Sequence, residues 1–248
     1  MKYLIITDVH GNIEAMDAVL EDAKEVEGFD KILCLGDLIG YGPNPNECIN
    51  RLREYDFAMV IGNHEHAVSG FIDVDKYFND HAAKAVKWTR KQLTQDNFVF
   101  IYSLPETHTE NDIMIVHGSP RYAIDEYLRA PFAAMRNASV MSTKICFIGH
   151  THIPVVFSIS DSFVKRATKH DVVGEKTFVL DSTAKFIINP GSVGQPRDRN
   201  PLAAYGIYDT ETKLYKQYRT CYDIKKTSDK IFNTGVSTWL ATRLYSGQ

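Results

Sequence analysis

Residues 145–154 read ICFIGHTHIP, an apolar run that ends in two histidines one position apart, just before Pro154. An uninterrupted apolar run of this length is typical of a strand that is buried on both faces. His150 and His152 therefore stand where a buried strand ends. A histidine pair at such a point is either ordinary surface chemistry or part of a metal site, and the rest of the chain must decide between the two.

The same pattern of a short apolar run followed by Gly, Asp, Asn or His occurs four more times. The runs are YLIITDVHGN (3–12), KILCLGDLIG (31–40), FAMVIGNHE (57–65) and IMIVHGS (113–119). Helical patterns separate the first three runs, and strand-helix-strand alternation predicts a parallel sheet with helices outside it. Ligands of such sheets bind beyond the carboxyl ends of the strands, where all five polar clusters are expected to lie.

The remaining segments predict the rest of the domain. Residues 155–220 contain short strands separated by turn residues, which indicates antiparallel hairpins and a second sheet packed on the first. Residues 69–105 form a helical, cap-like insertion, in which Asn79 and His81 could line a cap over the site. Residues 223–244 read as one or two helices. Since there is no linker or repeat, we predict a single domain over residues 1–248.

The five strand ends carry the chemistry. Each of these polar residues alone has an ordinary explanation as a cap or a surface histidine, but their occurrence at all five strand ends is very unlikely by chance. The residues are Asp8, His10, Asp37, Asn63, His64, His117, His150 and His152. The four cysteines have no paired spacing, which is typical of reduced thiols in a cytosolic protein, so the metal ligands are expected to be imidazoles and oxygens.

In order, the motifs DVH, GD, GNHE, VHG and GHTH resemble those of the calcineurin-like metallophosphoesterase family. The stretches DVHGN, GDLIGYGPNP and NPGSVGQPRD are similar to its smaller bacterial and archaeal phosphodiesterase-like branch. The resemblance implies an α/β fold, namely a four-layer α/β/β/α sandwich of two packed mixed β-sheets flanked by helices.

The resemblance also implies two metal sites. The first would be held by Asp8, His10, Asp37 and His152, and the second by Asp37, Asn63, His117 and His150. Asp37 would bridge the two ions, and His64 would serve beside them as a catalytic general acid or charge stabiliser. Imidazole and carboxylate ligands without thiolate suit Mn, Fe, Zn, Co or Ni, and we favour Mn.

The expected reaction is hydrolysis of a phosphate ester, with a phosphodiester favoured, by attack of metal-bound hydroxide. Two alternatives stay open: a phosphatase acting on phosphoproteins or on nucleotides such as diadenosine polyphosphates, and a non-catalytic scaffold on the same fold. Tyr41, Arg197 and Asn63 are candidate substrate contacts, although Tyr41 could simply pack its loop and Arg197 could belong to a plain turn.

The net charge and the hydropathy of the chain limit which partners and which location are expected. The net charge of −3 argues against long nucleic acid, and no apolar stretch approaches the roughly 18 residues of a membrane span. The apolar run at the N-terminus is far too short for a signal peptide. We therefore expect a cytoplasmic protein that acts on a small phosphate ester, with its oligomeric state left open.

Overall fold

Two six-stranded sheets pack face to face in the described part of this computed structural model, which covers residues 1–160 and 166–248. The first sheet has the order β3 (Phe57–Met59), β2 (Lys31–Cys34), β1 (Lys2–Ile6), β11 (Ala203–Asp209), β12 (Leu214–Thr220), β9 (Lys176–Val179). The second has the order β4 (Thr107–Glu110), β5 (Ile113–Val116), β6 (Ile145–Phe147), β10 (Ala184–Asn189), β7 (Val155–Ser160), β8 (Ala167–Asp171). Both sheets mix parallel and antiparallel pairs.

The apolar runs are continuous because both faces of these strands are buried. Along β1, Tyr3 and Ile5 point into the layer between the sheets, whereas Leu4 and Ile6 point toward the helices outside. Alternate residues of a strand face opposite sides, so a strand in the middle of a layered structure needs apolar residues at every position. The interpretation of these runs as doubly buried strands is confirmed.

Helices cover the outer face of each sheet. They are α1 (Ile13–Val26), α2 (Pro45–Leu52), α3 (Asn63–Val68), α4 (Val74–Tyr77), α5 (Asp80–Gln92), α6 (Gln95–Tyr102), α7 (Pro131–Ala138), α8 (Ile224–Thr234), α9 (Thr238–Thr242) and a 3-10 turn (Arg243–Tyr245). Helix α1 starts where the Asn12 side chain accepts a hydrogen bond from the Ala15 N–H at 3.1 Å. It buries Met16, Val19 and neighbouring residues against the first sheet, while α7 packs on the second. The predicted four-layer α/β/β/α sandwich is confirmed.

The predicted division of the strands between the sheets is wrong. All five strands expected in residues 155–220 form, but they do not make a sheet of their own. Strands β9, β11 and β12 join β1–β3, and β7 and β10 join β5 and β6. Apolar alternation specifies that a segment is a strand and which faces it buries; it does not specify the neighbour, which is chosen by long-range pairing such as β1 with β11.

The helical segments fall where the sequence predicts them. Residues 69–105 contain α4, α5 and α6, and residues 223–244 contain α8, α9 and most of the 3-10 turn. None of the helices in the described residues combines the length and the apolar character that crossing a membrane would require.

Candidate metal centre

The polar residues that follow the parallel strands meet at one end of the two packed sheets. Asp8 and Asp37 follow β1 and β2 of the first sheet, and His117 and His150 follow β5 and β6 of the second. The loops of the two sheets are joined directly, because the His150 N–H donates to Asp8 Oδ2 at 3.1 Å. The site is therefore built across the interface between the sheets.

The backbone at this end adopts an unusual conformation. The φ angle is positive at five candidate ligands, namely Asp8 (53°), His10 (51°), Asp37 (51°), His150 (64°) and His152 (59°). A left-handed conformation of a non-glycine residue costs on the order of 1–3 kcal/mol and persists only where the surroundings impose it. Such strain at five clustered polar residues is typical of a functional site.

His10 and His152 form the first group with Asp8. The Nδ1–H of His10 donates to the Ile39 carbonyl at 3.2 Å, and that of His152 donates to the Gln195 carbonyl at 2.6 Å. Both Nε2 atoms therefore carry lone pairs, yet they lie only 3.2 Å apart. Asp8 Oδ1 is 3.3 Å from His152 Nε2, and it is buried without a hydrogen-bond partner among the described residues. A bound cation would satisfy all three atoms.

His117 is the centre of the second group. Its Nδ1–H donates to the Leu35 carbonyl at 2.8 Å, so Nε2 is the nitrogen that faces the other residues of the group. Around this Nε2 lie Asn63 Oδ1 at 3.1 Å, His150 Nδ1 at 3.2 Å and Asp37 Oδ2 at 3.3 Å. Nitrogen and oxygen donors converging on one buried point form a suitable environment for a divalent transition metal.

Asp37 lies between the two groups. Its Oδ2 is 3.7 Å from His10 Nε2 and 3.3 Å from His117 Nε2, while its Oδ1 accepts the backbone N–H of His64 at 2.9 Å. One carboxylate oxygen thus faces a histidine of each group, and this is the placement that a bridging ligand needs.

His117 differs from the other histidines of the centre in its protonation state. Burial lowers the pKa of His10 and His152 well below the ordinary value, so both imidazoles are neutral at pH 7. Burial also disfavours the charged form of His117, but the charge of Asp37 and their hydrogen bond outweigh it and raise the pKa of His117 to about 9. A metal ion binding to His117 must therefore displace a proton.

His64 lies beside both groups. Burial lowers its pKa to about 4, and its Nδ1 has no hydrogen-bond partner among the described residues. The ring is 4.8 Å from His10 and 4.3 Å from Tyr41, centroid to centroid. Gly40, at φ +89°, makes this approach possible, since a Cβ there would lie 2.2 Å from His64 Nδ1. Ligand atoms of His10, Asp37 and His64 also lie within 4.8 Å of one another.

Glu65 holds the loops of the first sheet together, a role that the sequence did not predict for it. Its buried carboxylate accepts the backbone N–H groups of Asp37 at 2.8 Å, Ile39 at 3.0 Å and Gly62 at 2.9 Å. The loop that carries Asp37 is thereby fixed to the turn that carries Asn63. The motif letters GNHE were visible in the sequence, but the backbone atoms that Glu65 meets were not.

We expect Glu65→Ala to lower the free energy of unfolding by about 3 kcal/mol or more, because three buried N–H groups lose their acceptor. It should also weaken metal binding by displacing Asp37. Denaturant unfolding and metal content measure the two effects. Glu54→Ala is the control, since Glu54 is exposed and forms only a surface ion pair with Arg51; a loss no larger than that of Glu54→Ala would contradict the role of Glu65.

A cavity of about 320 Å³ opens over the metal centre. The candidate substrate contacts Tyr41, Asn63 and Arg197 line it, and so does Asn79 of the helical insertion. His81 does not line the cavity, but its ring stacks on Trp239 at 5.2 Å. The structure thus brings all the predicted site residues to one place.

Several cavity residues were missed in the sequence. They are Tyr77, Phe78, Tyr127, Trp239 and Arg243. Tyr127 stacks on His150 with ring centroids 4.0 Å apart, whereas Trp239 and Arg243 come from the C-terminal helical segment. These residues have no motif and no special spacing, so only the packing of distant segments places them at the site.

Three histidines outside the motifs lie outside the centre. His66 lies against Phe71, His108 against Glu110 and His170 against Ser158, and each of the three is half-buried. A larger cavity of about 860 Å³ lies at the amino ends of β5 and β6, but no histidine is among its lining residues in the described chain. The candidate metal ligands therefore lie at the carboxyl ends of the strands.

Comparison with known proteins gives consistent matches. A profile of the calcineurin-like phosphoesterase superfamily domain matches residues 1–213. An uncharacterized protein of Methanocaldococcus jannaschii is 39% identical over 98% of this chain and 97% of its own length. The crystal structure of a metallophosphoesterase from Sphaerobacter thermophilus has a TM-score of 0.87 and 37% identity, covering 100% of this chain and 99% of that one. A hypothetical protein from Pyrococcus horikoshii OT3 has the same fold, with a TM-score of 0.82 and 19% identity over 100% and 98% of the two chains.

Proposed function

Because this chain belongs to the calcineurin-like phosphoesterase superfamily, we propose that it is a two-metal phosphoesterase that acts on small phosphodiesters. The observation that carries the proposal is the convergence of imidazole nitrogens and carboxylate oxygens in two buried groups, which share Asp37 at the floor of a cavity.

The two groups define the proposed ligand sets. One ion is assigned to Asp8, His10, Asp37 and His152, and the other to Asp37, Asn63, His117 and His150. Nitrogen and oxygen donors without thiolate suit Mn, Fe, Zn, Co or Ni, and Mn stays our preferred ion. When bound, a pair of divalent ions supplies Lewis acidity toward phosphate oxygens and lowers the pKa of water.

His64 and Arg197 are the side chains that we assign to the substrate phosphate. The neutral His64 ring offers one N–H to a phosphate or leaving-group oxygen. Arg197 is held at the centre because its backbone N–H donates to the His152 carbonyl at 3.3 Å, and its guanidinium lines the cavity. Both groups are in place before substrate arrives, which is what electrostatic stabilisation of a transition state requires.

The volume of the cavity favours a diester. Its volume of about 320 Å³ leaves space for groups on two ester oxygens of one phosphate. Its aromatic wall, which includes Tyr77, Tyr127 and Trp239, also suits a substrate ring, so a nucleotide phosphatase is the second candidate. Buried free thiols at Cys34, Cys48 and Cys146 support a cytoplasmic location.

Hydrolysis of bis-p-nitrophenyl phosphate and of p-nitrophenyl phosphate, measured side by side, tests the proposal. Protein stripped with a chelator should be inactive and should regain diester cleavage when Mn, Ni, Co, Zn or Mg is restored, with Mn among the most effective. Cleavage of the monoester alone would favour the phosphatase. Inactivity toward both substrates at full metal occupancy would favour the non-catalytic scaffold or a narrow substrate range.

A further inference from the structure

Two arginines meet at the wall of the cavity beside the metal centre. Arg197 Nη2 donates to Gln195 Oε1 at 2.8 Å, and Arg243 Nη1 donates to the same oxygen at 3.1 Å. Neither guanidinium pairs with an Asp or Glu side chain of residues 1–160 or 166–248. Two cations therefore share one neutral amide oxygen, and no acidic side chain of those residues neutralises them.

Their surroundings hold both guanidinium groups in place. Arg243 Cζ lies 4.2 Å from the centre of the Trp239 ring, and Arg243 Nε donates to the backbone oxygen of Gln248. Arg197 Cζ lies 5.9 Å from the centre of the Tyr41 ring, and Arg197 Nε is buried with no hydrogen-bond partner in the part of the chain that the structure describes. Rigid guanidinium groups with unused donors are well suited to bind an oxyanion.

The charge of Arg197 acts on Arg243. Burial and then the charge of Arg197 lower the pKa of Arg243 to about 10, so Arg243 stays charged at pH 7 but is disfavoured by its neighbour. An anion placed between two such cations would be attracted by both and would offset their mutual repulsion.

The two arginines lie at different depths. Arg197 is next to the ligand loop, since its backbone N–H donates to the His152 carbonyl at 3.3 Å. Arg243 lines the same cavity and contacts Gln195 and Trp239. Arg197 is thus the arginine that adjoins the metal centre directly.

We propose that Arg243, aligned with Arg197 by Gln195, completes a second anion subsite that binds a further phosphate of the substrate, adjacent to the phosphate at the metal centre, and that Arg197 serves both phosphates from its place between them. The inference rests on the proposed function and narrows its substrate class to phosphate esters that carry an additional phosphate group. Phosphate fits better than a single carboxylate, because two guanidinium groups approaching from different segments can engage separate oxygens of one tetrahedral anion.

Equilibrium binding of two matched ligands tests the subsite. Thymidine 3′,5′-bisphosphate and thymidine 5′-monophosphate differ only in one phosphate, and calorimetry on the Mn-loaded protein gives both affinities without turnover. We expect the bisphosphate to bind at least about tenfold tighter. Arg243→Gln should remove most of this preference, whereas Arg136→Gln, an equal charge change at an exposed position of α7, should retain it.

A second variant tests whether the loss of preference in Arg243→Gln comes only from a disturbed structure. Gln195→Glu is nearly isosteric and places a carboxylate between the two arginines, so it should abolish the preference while the melting temperature stays close to that of the wild type. An unchanged preference in Arg243→Gln or Gln195→Glu, or equal binding of both ligands by the wild type, would overturn the second subsite.

Hydrolysis of the matched p-nitrophenyl esters separates the two proposals. Thymidine 5′-(p-nitrophenyl phosphate) and its 3′-phosphorylated form again differ by one phosphate. Cleavage of both with equal kcat/KM would overturn the second subsite alone. Preferential binding of the bisphosphate without cleavage of either ester would support the subsite and count against the proposed diesterase activity.

Discussion

Replacement of His64 by alanine is expected to lower kcat for a p-nitrophenyl diester by roughly 10²–10⁴-fold, while two metal ions per chain stay bound. The His64 ring lies beside the metal groups and lines the cavity that would hold the substrate. Because it is neutral at pH 7, its contribution is an N–H donated to an oxygen on which charge develops. Steady-state kinetics and elemental analysis of the metal content measure the two quantities.

His66→Ala is the matched control for this variant. His66 is only two positions away on the same helix, but it lies against Phe71 and outside the metal groups. Its replacement should change kcat less than about threefold. Loss of one ion from His64→Ala would instead identify His64 as a metal ligand. Its position is compatible with that role, because its ligand atom lies within 4.8 Å of those of His10 and Asp37.

Replacement of Asp37 by alanine should cost the protein both ions and, with them, essentially all hydrolysis. Asp37 Oδ2 faces His10 of one group and His117 of the other, so its loss removes an anionic ligand from each. The remaining sites would hold mostly neutral imidazoles and lose much of the electrostatic attraction for a divalent cation. Calorimetric titration of the stripped variant with Mn, together with its metal content after dialysis, measures the effect.

Asp181→Ala provides the comparison for Asp37→Ala, because Asp181 lines the cavity of about 860 Å³ and belongs to none of the metal-ligand groups found among the described residues. It should bind two ions as the wild type does. Full occupancy of both metal sites in Asp37→Ala would rule out the bridging role. Loss of a single ion would assign Asp37 to that ion alone.

The agreement between sequence and structure is greatest where one residue pattern has one physical cause. Runs such as YLII and ICFI are apolar at every position because their strands have buried neighbours on both faces. Each run ends in a polar residue, and the parallel strands of each sheet bring those ends together. For this reason Asp8, Asp37 and His150 were identifiable as candidate ligands before any coordinate was known.

The sequence by itself determined the layered α/β architecture, the doubly buried strands and the set of candidate ligands, because burial and strand direction leave their trace in local patterns. Only the tertiary structure decided which sheet receives β9–β12, because strand pairing is a long-range choice. It also decided that Glu65 ties three backbone N–H groups together and that Arg243 reaches the cavity beside Arg197. Those contacts join residues far apart in the chain, and no local pattern records them.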